Sequence, residues 1–200
     1  VGLFLQIGRT GTGEFIQDGA STVVDINRNG DGLIVAGNGT GTYTLRSGTL
    51  NVNNGNVLIA SSDLSNGVFF QYGGQVDVAG AIQMAGTNDA ATGTQARYEL
   101  HDGTLTVGQF LQVGRRGTGE FIQDGASTVV NVNRNSSTEA ALIIAGTGTG
   151  TYTLSAGQLN VPAAYVLIGS GGGAWGTLNA GGQGEANFDR GLTINLGEVN

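Results

Sequence analysis

The sequence predicts an all-β fold, a right-handed parallel β-helix (β-solenoid) with about three short strands per coil and coils of about 24–31 residues. Three observations predict it. Glycine accounts for 38 of the 200 residues and proline for one, which fits a fold with a tight turn every few residues. The segment GTGEFIQDGASTVV occurs twice, from Gly11 and from Gly117, at an offset of 106 residues. A short apolar strand also recurs eight times along the chain. The handedness rests on the general preference of parallel crossovers.

The short repeat sets the coil length. Its eight apolar segments are each followed by Gly or Ala, except the last. From one segment to the next the spacings are 28, 24, 25, 29, 31, 24 and 26 residues, as expected for loops of different length at one corner. We therefore predict a single solenoid domain over residues 1–200, with seven full coils and part of an eighth, built from a duplicated block of about 106 residues. The segments are 5–7, 33–35, 57–59, 82–84, 111–113, 142–144, 166–168 and 192–194.

Each unit continues in the same way after its apolar segment. In the second unit a Gly-rich turn at residues 39–41 leads to an alternating strand at 42–45, and a corner near Gly48 leads to a third strand at 50–52. Three short strands with three corners make one coil of a β-helix. The unit is too short for a four-stranded propeller blade, and it has no helical segment for a leucine-rich repeat.

The alternation within the strands predicts which side chains point inward, because residues i and i+2 of a strand share a face. Two columns are apolar in the third strand and one is aromatic in the second strand, so like residues stack on like. The third-strand columns are Val24, Leu50, Val76, Leu105, Val130 and Leu159, and Ile26, Val52, Val78, Val107, Val132 and Val161; the aromatic column is Phe15, Tyr43, Phe69, Tyr98, Phe121 and Tyr152.

One further inward column alternates between Gln and Leu. It follows the aromatic residue by two positions, and we expect Leu178 to be its next member. Buried Gln side chains must be hydrogen-bonded, and we expect them to bond backbone groups at the corners rather than to act in catalysis. The column is Gln17, Leu45, Gln71, Leu100, Gln123 and Leu154.

Composition argues against several classes of partner. The net charge is −7, and no basic cluster exists beyond Arg115-Arg116, so we expect no binding to nucleic acid. No apolar run approaches the roughly 20 residues that span a bilayer, so we expect no membrane span in this segment. Cysteine is absent, so no disulfide can staple the coils.

The repeat resembles a known type of sequence. The pattern GTGTYTLxxGxLNV, as at residues 148–161, is followed by VLIG at 166–169. It is similar to the Gly/Thr/Asn-rich repeats of autotransporter-like passengers and of other bacterial surface and extracellular-matrix proteins. The resemblance extends from Leu3 to about Ile194 and implies export from a bacterial cell, to the cell surface or beyond. No family active site maps onto this sequence.

The function expected from these observations is structural. We predict an element of an extracellular bacterial fibre, filament or surface layer that self-associates end to end, by axial stacking of coils, or laterally. The alternative is an adhesin or autotransporter passenger that binds glycans or host matrix along its outer face. A polysaccharide lyase or hydrolase is the weakest reading. We expect no enzyme activity and no cofactor, and we assign no catalytic, cofactor-binding or metal-ligating residue.

Four polar features are candidate sites. His101, the sole histidine, falls in a column with Tyr72 and Asp124 that should face solvent. Asp25 and Asp77 lie two coils apart on an outward column, roughly 9–10 Å at ~4.8 Å per coil, within the span of inverting glycosidase carboxylates. A solvent-facing polar ladder explains the Asp25 and Asp77 column equally well, and for His101 an exposed structural role is favoured over a catalytic one. The corner at residues 29–32 (Asn-Gly-Asp-Gly) suits calcium in composition but fits a plain turn better. The Gly-rich corner at 8–11 is not a phosphate loop, because no helix follows it.

The outward apolar residues Ile16, Phe70 and Ile122 indicate lateral packing against another chain or a groove for an elongated ligand.

The two ends of the sequence predict axial continuation. Val1 aligns with Val107 at the end of a third strand, and Asn200 falls just past the first strand of the eighth coil. Neither end shows a cap, so we expect the chain to belong to a longer array or to stack end to end.

Overall fold

The protein is a parallel β-solenoid of about seven turns with no helix, as seen in a computed structural model that describes residues 4–86 and 93–200. The predicted fold class is therefore confirmed. Each coil runs through a first, a second and a third strand, and each strand pairs in parallel with its equivalent in the next coil. The alignment of Val1 lies outside the described residues.

The strands are numbered along the chain, coil by coil. Coil 1 contains β1 (Leu5–Ile7), β2 (Thr12–Gln17) and β3 (Val23–Ile26); coil 2, β4 (Gly30–Val35), β5 (Thr40–Leu45) and β6 (Thr49–Val52); coil 3, β7 (Gly55–Ile59), β8 (Asn66–Gln71) and β9 (Gln75–Val78); coil 4, β10 (Ile82–Met84), β11 (Gln95–Leu100) and β12 (Thr104–Val107); coil 5, β13 (Leu111–Val113), β14 (Thr118–Gln123) and β15 (Val129–Val132); coil 6, β16 (Ala140–Ile144) and β17 (Thr149–Val161); coil 7, β18 (Tyr165–Ile168) and β19 (Trp175–Phe188); coil 8, β20 (Leu192–Ile194) and β21 (Gly197–Val199).

Two details of this strand pattern differ from the prediction. In coils 6 and 7 the second and third strands run on without a break, so β17 and β19 each serve as both. The eighth coil also goes further than its first strand, because β21 pairs with the second-strand part of β19. The expectation that the chain ends just past the first strand of coil 8 was wrong.

A left-handed residue follows the first strand in each of the first seven coils. These residues have φ between 57° and 73°, a region that costs residues with a Cβ about 1–2 kcal/mol. The tight corner explains why Gly or Ala always stands there. They are Gly8, Ala36, Ala60, Ala85, Gly114, Ala145 and Gly169.

The inward columns form the core as predicted. The six aromatic rings stack coil over coil, with five successive centroid distances of 5.0, 4.7, 4.6, 4.8 and 4.6 Å. The third-strand columns are buried, apart from Val24 in coil 1, which is partly buried. Such stacking buries the apolar side chains of each coil against those of its neighbours. A single coil would leave these side chains exposed to water, so no coil could be stable alone.

One register assignment was wrong. Leu178 pairs with Tyr152 and therefore continues the aromatic column, whereas Ala180 takes the position after Leu154 in the Gln/Leu column. The reason lies two residues earlier, where Gly176 pairs with Gly150. A Cβ on Gly176 would stand 2.5 Å from the carbonyl oxygen of Ile144, so this crowded position requires glycine and sets the register.

Candidate functional site

The interior carries a recurring polar feature, a glutamine that bonds two strands of the next coil. In coil 3, Gln71 Oε1 accepts a hydrogen bond of 2.7 Å from the hydroxyl of Tyr98 in coil 4. Its Nε2 donates to the third-strand carbonyl of Thr104, also in coil 4, at 3.1 Å, and to Gly74 O of its own coil at 3.3 Å. Both ends of the amide are thereby satisfied in a fully buried position.

The same arrangement recurs two coils below and two coils above, and we call each occurrence a Gln–Tyr staple. In every staple the glutamine belongs to an odd coil, and its tyrosine and main acceptor carbonyl belong to the following even coil. The other two staples are Gln17 with Tyr43 (2.6 Å) and Thr49 O (2.9 Å), and Gln123 with Tyr152 (2.8 Å) and Gln158 O (3.0 Å).

The sequence expectation for these glutamines was half complete. The bond to a corner carbonyl, such as Gly74 O, was predicted, but the third-strand carbonyls and the tyrosine partners were not. The signal was present in the sequence, because Phe-x-Gln in one coil alternates with Tyr-x-Leu in the next. Because the two motifs alternate from coil to coil, each tyrosine hydroxyl is placed one coil above a glutamine.

Burial sets the chemistry of the three stapled tyrosines. Desolvation raises the pKa of Tyr43, Tyr98 and Tyr152 above the ordinary value of 10.0. For Tyr98 the neighbouring tyrosines add to this rise in pKa. The hydroxyls therefore stay protonated and donate hydrogen bonds, an arrangement suited to holding coils together.

The outer face of coils 3–5 carries a cluster around His101. The two ring nitrogens lie close to carboxylates, Nε2 at 2.9 Å from Glu99 Oε2 and Nδ1 at 2.8 Å from Asp124 Oδ1. The Tyr72 ring stacks on the imidazole at a centroid distance of 5.0 Å. The predicted outward column of Tyr72, His101 and Asp124 is thus confirmed, with His101 partly exposed.

Arg97 extends this cluster across two coils. Its guanidinium lies 2.6 Å from Glu99 in its own coil and 2.9 Å from Glu120 in coil 5. Because these groups are partly exposed, such pairs contribute little to stability. The cluster nevertheless concentrates charged and aromatic side chains on a face that is otherwise rich in threonine.

A shallow groove of about 310 Å³ lies beside the cluster and shares Arg97 and Glu120 with it. Its lining combines two amides, one hydroxyl, two charged groups and two apolar side chains, so it could form hydrogen bonds with a polar ligand. The remaining lining residues are Asn66, Val68, Gln95, Ala96 and Thr118.

The outward third-strand column forms a ladder of side-chain hydrogen bonds. Asn51 stands in register between Asp25 and Asp77 and donates to Asp25 at 2.7 Å. Asp77 accepts from Gln75 at 2.6 Å. Asp25 thus takes part in the polar ladder that was the alternative to a catalytic pair, whereas the bond to Asp77 lies within its own strand. Further along, Asn187 donates to Asn160 and Asn160 to Asn131, each at 3.0 Å.

The segment at 29–32 and the outward apolar column were the other candidate features of the sequence. The segment at 29–32 is not the plain turn that we expected, because residues 30–32 already belong to β4, with Gly30 at a φ of 82°. Within residues 4–86 and 93–200, no group of three or more His, Cys, Asp or Glu is arranged to hold a metal ion. Ile16, Phe70 and Ile122 point outward as predicted; Ile16 is exposed and the other two are half-buried.

The fold defines the chain as a β-solenoid repeat protein. Comparison with known proteins finds no matching family model, no similar curated protein and no similar solved structure. The described part of the chain also contains no helix that is long and apolar enough to cross a membrane.

Proposed function

We propose that this β-solenoid is a structural element of an extracellular bacterial fibre, filament or surface layer, assembled by axial stacking of coils. The observation that carries the proposal is the unbroken stacking of equivalent residues, seen best in the aromatic column with its 4.6–5.0 Å ring spacing. A coil that is complementary to its own neighbours is also complementary to a coil of the matching type supplied by another copy.

The interior also supports a mechanical role for the rod. Parallel backbone ladders run along the axis, so tension along the rod acts on hydrogen bonds that are all aligned with it. Every fully buried side-chain N or O atom in residues 4–86 and 93–200 has a hydrogen-bond partner. A satisfied, close-packed interior resists deformation, as expected for a rigid rod.

Electron microscopy of the native protein tests the proposal. Axial assembly gives filaments whose rise is a multiple of ~4.8 Å per coil, with a matching reflection along the axis of oriented samples. Short, discrete particles at every concentration would contradict it.

Surface variants separate axial from lateral assembly. Replacing Ile16 and Phe70 by Lys places charge on the outward apolar column, so single filaments should persist while bundles disappear. Thr151→Lys on the same face, three coils from Phe70, is the matched control and should leave bundling unchanged. Loss of the filaments themselves in the first variant alone would show that the contact is lateral.

A second candidate is an adhesin or passenger that binds glycans or matrix along its outer face. The cluster of Tyr72, Arg97, Glu99 and His101 beside the 310 Å³ groove favours it, because rings and charged hydrogen-bonding groups meet there. A glycan array probed with the native protein and with Tyr72→Ala tests this alternative, which requires a signal that the variant loses. Polysaccharide cleavage has less support, since the carboxylates of this cluster already contact Arg97 and His101.

A further inference from the structure

We propose that the pair of coils, and not the single coil, is the unit in which this solenoid opens and folds, and that the Gln–Tyr staples define the pair. The pairs are coils 1 and 2, 3 and 4, and 5 and 6. This inference concerns the chain itself and does not depend on the proposed function.

The hydrogen bonds that the staple makes to another coil are all made to the following coil. Gln71 bonds Tyr98 OH and Thr104 O, which lie on the second and third strands of coil 4, and otherwise Gly74 of its own coil. Among the described residues, its side chain makes no hydrogen bond to coil 2. One amide therefore fastens coil 4 to coil 3 at two strands.

The junctions between pairs lack this interior feature. Between coils 2 and 3, the stacked partners are Leu45 with Gln71 and Tyr43 with Phe69, the rings 4.7 Å apart. Between coils 4 and 5, Leu100 lies against Gln123 and Tyr98 against Phe121. Backbone ladders cross every junction, and partly exposed side-chain pairs on the outer face also join coils 4 and 5, so the two staple bonds are the buried interior contacts that distinguish a stapled junction from the next.

The staples also restrict which coil can stack on which. A coil of the Phe-x-Gln type placed on another of the same type would bury a glutamine oxygen without a hydroxyl donor. Leaving such a buried group unsatisfied costs more than the bond itself contributes. Gln17, Gln71 and Gln123 are therefore the residues that specify the alternating order of coils.

Native-state hydrogen exchange on the full chain tests the proposal. Strand amides of coils 3 and 4 should share one opening equilibrium, and a different value should begin in coil 5. Two buried hydrogen bonds correspond to a difference of roughly tenfold to a hundredfold between stapled and unstapled junctions.

The decisive variant is Gln71→Leu combined with Tyr98→Phe, which removes the staple and leaves neither partner unsatisfied. Coils 3 and 4 should then open separately, with the opening of coil 4 raised roughly tenfold to a hundredfold relative to coil 3. Phe69→Leu is the matched control. It loosens the same aromatic column but keeps the staple, so coils 3 and 4 should shift together.

Three results would overturn the proposal: wild-type coils 3 and 4 that differ as much as coils 2 and 3, a single opening equilibrium for all coils, or a double variant with the wild-type pattern. If the double variant does not fold, the wild-type pattern together with Tyr98→Phe decides. The readout needs only the monomeric rod, so absence of filaments would refute the proposed function and leave this inference untouched.

Discussion

Alkaline pH should unfold this protein through its three buried tyrosines. Tyr43, Tyr98 and Tyr152 have pKa values raised by burial above the ordinary value of 10.0. An unfolded tyrosine loses its proton near pH 10, but the buried one keeps it. The contribution of the three buried tyrosines to the free energy of unfolding is therefore complete below pH 10. It is lost as the pH rises from 10 towards the pKa of the folded state.

The magnitude follows from proton linkage. Each group that is ionised in the unfolded state and protonated in the folded state lowers the free energy of unfolding by about 1.4 kcal/mol per pH unit. Three such tyrosines lower it by about 4 kcal/mol per pH unit once the pH is well above 10. A domain stable by about 5–15 kcal/mol should therefore unfold within a few pH units above 10.

The assay follows tyrosinate absorbance at 295 nm and the β-sheet circular dichroism signal during one titration. Ionisation of the three buried tyrosines should coincide with loss of the β-sheet signal. The variant with Phe at positions 43, 98 and 152 supplies the control: although less stable at neutral pH, it should lose stability less steeply above pH 10. Ionisation of the three tyrosines near pH 10 with the sheet intact would refute the reasoning.

Three further predictions can be checked by chemical denaturation. Gly114→Ala should destabilise by about 1–3 kcal/mol or more, because its Cβ would stand 2.0 Å from Thr149 O, whereas Ala145→Gly at the equivalent corner should change stability by about 1 kcal/mol or less. Equal losses for the two would contradict this account. Tyr98→Ala empties a fully buried position of the aromatic column and should cost about 3–5 kcal/mol; a loss below about 1 kcal/mol would mean that the column is loosely packed. Arg97→Ala removes partly exposed ion pairs and should cost less than about 1 kcal/mol at physiological salt, and a larger loss would indicate that the outer cluster is structural.

The sequence by itself determined the coil and its columns. Strand alternation has a period of two, so the inward places of Leu50 and Val52 follow from local pattern. The spacing of the apolar segments identifies the repeat, and the Gly or Ala after each segment marks the left-handed corner. These features depend on residues that are close along the chain, which is why they could be read without coordinates.

The tertiary structure decided the contacts between coils. Tyr43 meets Gln17 across 26 residues, and only the stacked interior shows that the hydroxyl reaches the amide oxygen. The place of Leu178 depended on the crowding around Gly176, which involves the backbone of Ile144 and Gly169. The outer cluster around His101 likewise joins separate coils. Such pairings depend on side-chain direction and on the exact register of neighbouring coils, and a one-dimensional pattern contains neither.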